Sequence, residues 1–144
     1  MGSPTAWSFY DQFLLAKNDG TLDLDTDTIE IGLYLSTSNA ATLTFATVGA
    51  ITNEHALNNG YDAGAETVVA TLTGESQNVN FDTANAVWTA NGGSIIARFA
   101  VMFSGTTPIA FSLLDDDPAD VTATDGNTFT VAPHSDGVFD EAPA

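Results

Sequence analysis

Asp23, Asp25 and Asp27 place three carboxylates at alternate positions directly before an alternating apolar run, in the stretch DLDTDTIEIGLYLS. Oxygen ligands at that spacing open an EF-hand calcium loop, which then needs a turn glycine at its sixth position and a bidentate glutamate at its twelfth. Here those positions hold Thr28 and Tyr34. A chain already in strand alternation at Ile29 does not wrap an ion in that way. The favoured reading is an acidic, solvated approach to a β-strand, and a looser calcium site on Asp23, Asp25 and Asp27 is the alternative. Asp115, Asp116, Asp117 and Asp120 form a second acidic cluster, which reads as a solvated turn stopped by Pro118.

Other chemistry is thinly represented. His55 and His134 are the only histidines and lie far apart in sequence, and the chain has no cysteine, so thiol catalysis, disulfides and zinc–thiolate sites are excluded. No Gly-x-Ser-x-Gly elbow and no phosphate loop occurs. With 19 acids, some carboxylate pair is inevitable, and nothing in the sequence selects two as acid and base. The expectation is a protein that is not an enzyme and carries no cofactor. Arg98, the single arginine, stands inside an apolar run, where an unpaired charge is costly. A carboxylate partner is expected for it, in its own domain ahead of one across a subunit contact.

The elements around these residues are mostly strands. SPTAWSFYDQFLLAKNDG predicts a helix over about residues 4–17, with Ser3 as N-cap, Pro4 in the first turn and Asp19-Gly20 as the stop. Trp7, Tyr10 and Leu14 would share one face of it, as core or as an arm docking on a neighbouring subunit. Ile29, Ile31, Leu33 and Leu35 alternate with Glu30, Gly32 and Tyr34, which predicts a half-buried strand. A long connection follows, with a helical turn around residues 45–51 and turn signals at Asn59-Gly60 and Gly64. Then ETVVATLT, NVNFD, AVWTA, SIIARFAVMF, IAFSLLD, TFTV and GVF read as strands. NGG at Asn91–Gly93 reads as a hairpin turn. SIIARFAVMF reads as one long central strand with Phe99 and Val101 in the core. The expected fold is mainly β, an antiparallel sandwich or barrel-like single domain spanning 1–144, with a short N-terminal helix, strands from about 28 to 139 and a frayed tail at 140–144.

Charge bounds the partners. Two basic residues against 19 acids give a formal net charge of −17. Such a surface repels phosphate, which argues against nucleic acid and against anionic membranes. It also opposes self-association except where salt screens it. The 44% hydrophobic content, with nine phenylalanines, still suffices for a core. No apolar run is long enough to span a bilayer, and MGSPTAWSFYDQFLLAK lacks the form of a secretory signal, so assembly in a cytoplasm is expected.

Five strings occur in order: LDLDTDTIEIGLYLSTS, TNEHALNNGYDAGAETV, VNFDTANAVWTA, SIIARFAVMF and DGNTFTVAPHSDGVF. The series resembles a family of small virion proteins of tailed bacteriophages, whose members show an N-terminal Tyr/Phe helix, a DLDTDTIKVAL strand, a GxGYTAGG loop, an FDADDVTW segment, an ARxAVIY strand and a DGDFTIxW…GIF close. The resemblance covers Phe9 to Phe139, and its motifs carry no catalytic signature. Glu30 stands where the family has Lys, Gly64-Ala65 where it has two glycines, and the Trp of the last strand is replaced. The resemblance implies a head decoration or cement protein on the outer capsid surface, bound to the major capsid protein. A tail, baseplate or fibre-associated component is the runner-up, and a soluble calcium- or glycan-binding β-sandwich stands third. A homotrimer is expected, with Trp7, Tyr10, Asn59, Gly60, Tyr61 and Gly64 as the interface candidates, because three small footprints on a three-fold site add by avidity.

Overall fold

The computed structural model describes residues 5–75, 77–116, 119–133 and 137–141. The expected Ser3 N-cap, Pro4, Asp117, Pro118, His134 and the last three residues lie outside them. The fold is mainly β and antiparallel, with one short helix near the N-terminus. Its elements are β1 (Ser8–Phe9), α1 (Asp11–Asp19), β2 (Ile29–Tyr34), β3 (Glu66–Val68), β4 (Ala70–Glu75), β5 (Asn78–Thr83), β6 (Ala86–Thr89), β7 (Ile95–Ala97), β8 (Phe99–Ser104), β9 (Thr107–Leu113), β10 (Val121–Ala123), β11 (Thr128–Val131) and β12 (Phe139–Glu141). A 3-10 turn at Val48–Ala50 interrupts the long connection, inside the expected helical turn.

A five-stranded sheet runs β1-β9-β8-β2-β3, and a three-stranded sheet runs β12-β5-β4. β6 and β7 pair with β11 and β10. They form one bent ribbon whose two halves are joined by hydrogen bonds from Ala90 N to Asn127 O and from Gly126 N to Ala90 O. One core unites the sheets: Ile29, Ile31 and Leu33 from β2, Phe81 from β5, Trp88 from β6 and Phe129 from β11 all belong to it. A second cluster lies on the other face of the five-stranded sheet, where Tyr34, Phe99 and Val101 meet Tyr10, Ala40 and Ile51. The long connection after β2 thus covers that face. This is why β2 is buried on both sides from Ile31 to Tyr34, not half-buried as its alternation predicts.

Several expected boundaries move. The helix starts at Asp11, seven residues later than expected, because the preceding segment is held as an extended strand on β9. Thr5 N donates to Leu113 O, Ser8 pairs with Phe111, and Tyr10 N donates to Ile109 O. The stop is where the sequence puts it: Gly20 caps the helix in the left-handed conformation, φ 82°. SIIARFAVMF is two strands in different sheets. The chain passes from one to the other at Arg98, and alternation restarts there: Ile95 and Ala97 enter the main core together with Ala100 and Met102, while Phe99 and Val101 enter the second cluster. β8 is central, as expected, and β9 is the longest strand. NGG is not a hairpin turn, since β6 and β7 pair with other strands, and Gly92 N donates to Asp125 Oδ1 across the bend. ETVVATLT also breaks, at Val69, into β3 and β4. The tail is ordered further than expected, because Asp140 and Glu141 pair with Asn80 and Val79 in β12.

Candidate functional site

The acidic approach to β2 is a turn closed on itself. Leu22 and Leu24 are buried, which fixes the backbone between them and leaves Asp23, Asp25 and Asp27 exposed. Asp27 Oδ2 accepts from Asp23 N at 2.8 Å, and Asp23 Oδ1 accepts from Asp25 N at 3.0 Å. Two of the three carboxylates thus cap amides of their own turn, a local use of Asp side chains that competes with ligation. Among the described residues no three His, Cys, Asp or Glu side chains gather to hold a metal ion. In the second acidic cluster Asp115 is buried, whereas Asp116 and Asp120 are exposed.

The densest polar constellation is the loop from Asn53 to Ala65, and it seals β2. β3 pairs only with Ile29–Ile31, so the rest of that edge needs other partners. His55 N donates to Leu33 O and Leu35 N donates to Asn53 O. The Tyr61 hydroxyl supplies the missing acceptor, taking a hydrogen bond from Leu33 N at 3.0 Å while donating to Glu54 Oε1 at 2.8 Å. The Tyr61 ring passes over Gly32, where a Cβ would stand 3.2 Å from the hydroxyl; a glycine inside this strand makes the close approach possible. His55 stacks edge-on against Tyr61 at 5.3 Å, and its Nδ1 donates to Ala56 O. Tyr61 in turn leans on Trp88, whose indole N–H donates to Gly64 O.

Burial sets the electrostatics of this clasp. Burial pushes the Tyr61 hydroxyl well above the usual tyrosine range, and the Glu54 charge adds to it. Tyr34 is raised by burial and the same carboxylate, and Tyr10 by burial with Tyr34 beside it. All three phenols therefore stay protonated, and those of Tyr10 and Tyr61 donate hydrogen bonds.

The residues expected at a subunit seam are largely consumed inside the domain. Tyr10 and Tyr61 are 0% exposed, and Tyr10 donates its hydroxyl proton to Ala40 O. Gly60, at φ 98°, lies against β6, where a Cβ would overlap the Thr89 carbonyl oxygen. Asn59 donates to Ser94 O, and Gly64 is buried. The two tyrosines are thus spent inside the domain, where Tyr61 and Gly60 pin the loop to the sheet. Trp7, Asn59 and Gly60 keep a half-exposed side. Trp7 lines an apolar groove of about 410 Å³ with Thr5, Leu114, Val121, Phe129 and Val131. The carboxylate expected for Arg98 inside its own domain is not found among the described residues, where the single ion pair joins Lys17 to Glu141. Arg98 is half-exposed, which lets water solvate the guanidinium while the stem packs.

The class these features define is a mainly β, antiparallel domain with one short N-terminal helix and a loop clasped to the edge of β2. Comparison with protein-family models, with curated proteins and with solved structures finds no match to this chain. No helix among the described residues is long and apolar enough to cross a membrane. Two features were missed in the sequence. The Glu54–Tyr61 pair has no spacing signal, because its meaning depends on where β3 stops. The free edge of β4, taken up below, is a property of pairing and not of ATLTGE as a string.

Proposed function

We propose that the chain is a structural protein of a tailed-phage particle, a decoration or cement protein that binds the major capsid protein on the outer face of the head as a homo-oligomer. The observation that carries this reading is where the five strings of the resemblance fall. They hold β2, the Asn53–Ala65 loop with β3, β5–β6, β7–β8, β11 and the start of β12, which are most of the strands and the clasp of the domain. A series that encodes architecture and brings no reactive set together suits a building block. The net charge of −17 suits a surface turned to solvent and salt. A calcium-binding role draws no support from carboxylates already committed to backbone amides. Quantitative mass spectrometry of purified particles tests the proposal. Copy numbers comparable to the major capsid protein support decoration, a few copies per particle assign the chain to the tail instead, and absence from particles overturns the reading.

A further inference from the structure

β4 pairs with β5 on one side only and is the longest strand that lies at the end of a sheet, with six residues. End strands normally carry guards against pairing: shortness, charge, proline or a bulge. β1 has two residues, β3 has three and begins with Glu66, and β12 has three, two of them acidic. β4, Ala70–Glu75, has no proline and no lysine, its register with β5 runs unbroken, and its one charge is the terminal Glu75. Glu75 pairs with Asn78, so the β4–β5 connection is two residues long. Such a hairpin closes on a hydrogen-bonded pair. Alternate residues then face the other way, so Ala70, Leu72 and Gly74 offer their amides and carbonyls to the open side.

We infer that this edge docks a second copy of the same chain, β4 against β4, antiparallel about a two-fold axis. The argument for that occupant is charge. Two copies, each at −17, can approach only where acids are sparse. With the axis at Leu72, residues on the same face come opposite one another. Leu72 meets the second copy's Leu72, Ala70 meets Gly74, Thr71 meets Thr73, and Glu75 meets Val69, which is 74% exposed in the single chain. No acid faces an acid, and threonine pairs are favourable across strands. The Leu72 pair also extends the cleft of about 290 Å³ that Leu72 lines with Leu22, Leu24, Val79 and Phe139, beside Asp23 and the Lys17–Glu141 ion pair. The contact is two-fold, so its product is a dimer in place of the expected trimer, and it does not depend on attachment to a particle.

Sedimentation velocity over rising protein concentration, in dilute buffer and in concentrated sodium chloride, gives the first readout: dimer in salt, shifted toward monomer without it. The chain has no cysteine, so one introduced thiol reports position. A hydrogen-bonded antiparallel pair sets its Cα atoms about 5.5 Å apart, within disulfide reach. Leu72→Cys under oxidation should give a covalent dimer far in excess of Thr107→Cys on β9. The double variant Thr71→Lys, Thr73→Lys sets like charges directly opposite and should weaken the dimer about tenfold or more. It lowers the net negative charge, so lost association cannot come from greater overall repulsion. A parent that stays monomeric at every salt overturns the inference. So does Leu72→Cys that crosslinks no better than Thr107→Cys, or association untouched by the two lysines.

Discussion

Replacing Tyr61 with Phe removes one oxygen from the centre of the clasp and leaves the ring in place against Trp88 and His55. The hydroxyl makes two bonds, and they differ in worth. Leu33 N–H lies in a residue with 0% exposure and has the Tyr61 oxygen as its acceptor. Orphaning a buried amide costs about 1–3 kcal/mol. Glu54 is exposed, so its carboxylate regains water, and losing the bond from Tyr61 adds about 1 kcal/mol at most. The expected loss is therefore about 2–3 kcal/mol, which in a domain of this size lowers the melting temperature by about 5–10 °C. Urea and thermal unfolding of Tyr61→Phe beside Glu54→Gln read this directly. Gln keeps an acceptor oxygen, so Glu54→Gln should cost under about 1 kcal/mol. Tyr61→Phe melting with the parent would refute the reasoning. Glu54→Gln costing more than Tyr61→Phe would also refute it, by showing that the hydroxyl serves the carboxylate and not the β2 edge.

Gly60→Ala should cost at least about 3 kcal/mol, because a positive φ is joined to overlap with the Thr89 carbonyl, whereas Gly92→Ala, with open space at its Cβ position, should cost about 1 kcal/mol in the same unfolding assay. All three tyrosines have their pKa raised by burial, so the unfolded chain releases their protons first; stability should hold below about pH 10 and fall steeply above it, with tyrosinate absorbance appearing only as the domain unfolds. Phe99→Ala opens a cavity in the second cluster and should cost about 3–5 kcal/mol by urea titration. Asp23→Asn, Asp25→Asn and Asp27→Asn combined should leave the response of the melting temperature to calcium unchanged; a parent stabilised by calcium and a variant that is not would restore the metal site.

What could be read from the sequence was whatever a residue decides locally. Gly20 ends the helix because only glycine takes its φ cheaply, and the alternations of NVNFD, AVWTA and TFTV become β5, β6 and β11. What could not be read was decided by neighbours distant in sequence. Ser8 and Phe9 are extended because β9 offers them an edge, although the pattern around Trp7 and Tyr10 fits a helical face equally well. Arg98 shifts the alternation of its run by one because the chain changes sheets there, and a run apolar on both faces hides such a shift. The loop at Asn59–Gly64 has the composition of a contact loop and of an internal pin alike. The Thr89 carbonyl and the Leu33 amide select the second, and neither is visible from the loop itself.

The same distinction separates what the resemblance speaks to from what it leaves open. Its five strings end at Val68 and resume at Val79, so β4 lies in the gap between them. The residues inside the strings are those the fold consumes: Gly32 under Tyr61, Gly64 bonded to Trp88, Phe129 against Trp88. A contact surface obeys other constraints. It must leave backbone groups or apolar area unspent and must keep acids apart when the body carries −17. β4 meets both conditions and lies outside the strings. A contact between copies of this chain is thus better sought in the neutral segment Ala70–Gly74 than in the residues that the fold consumes.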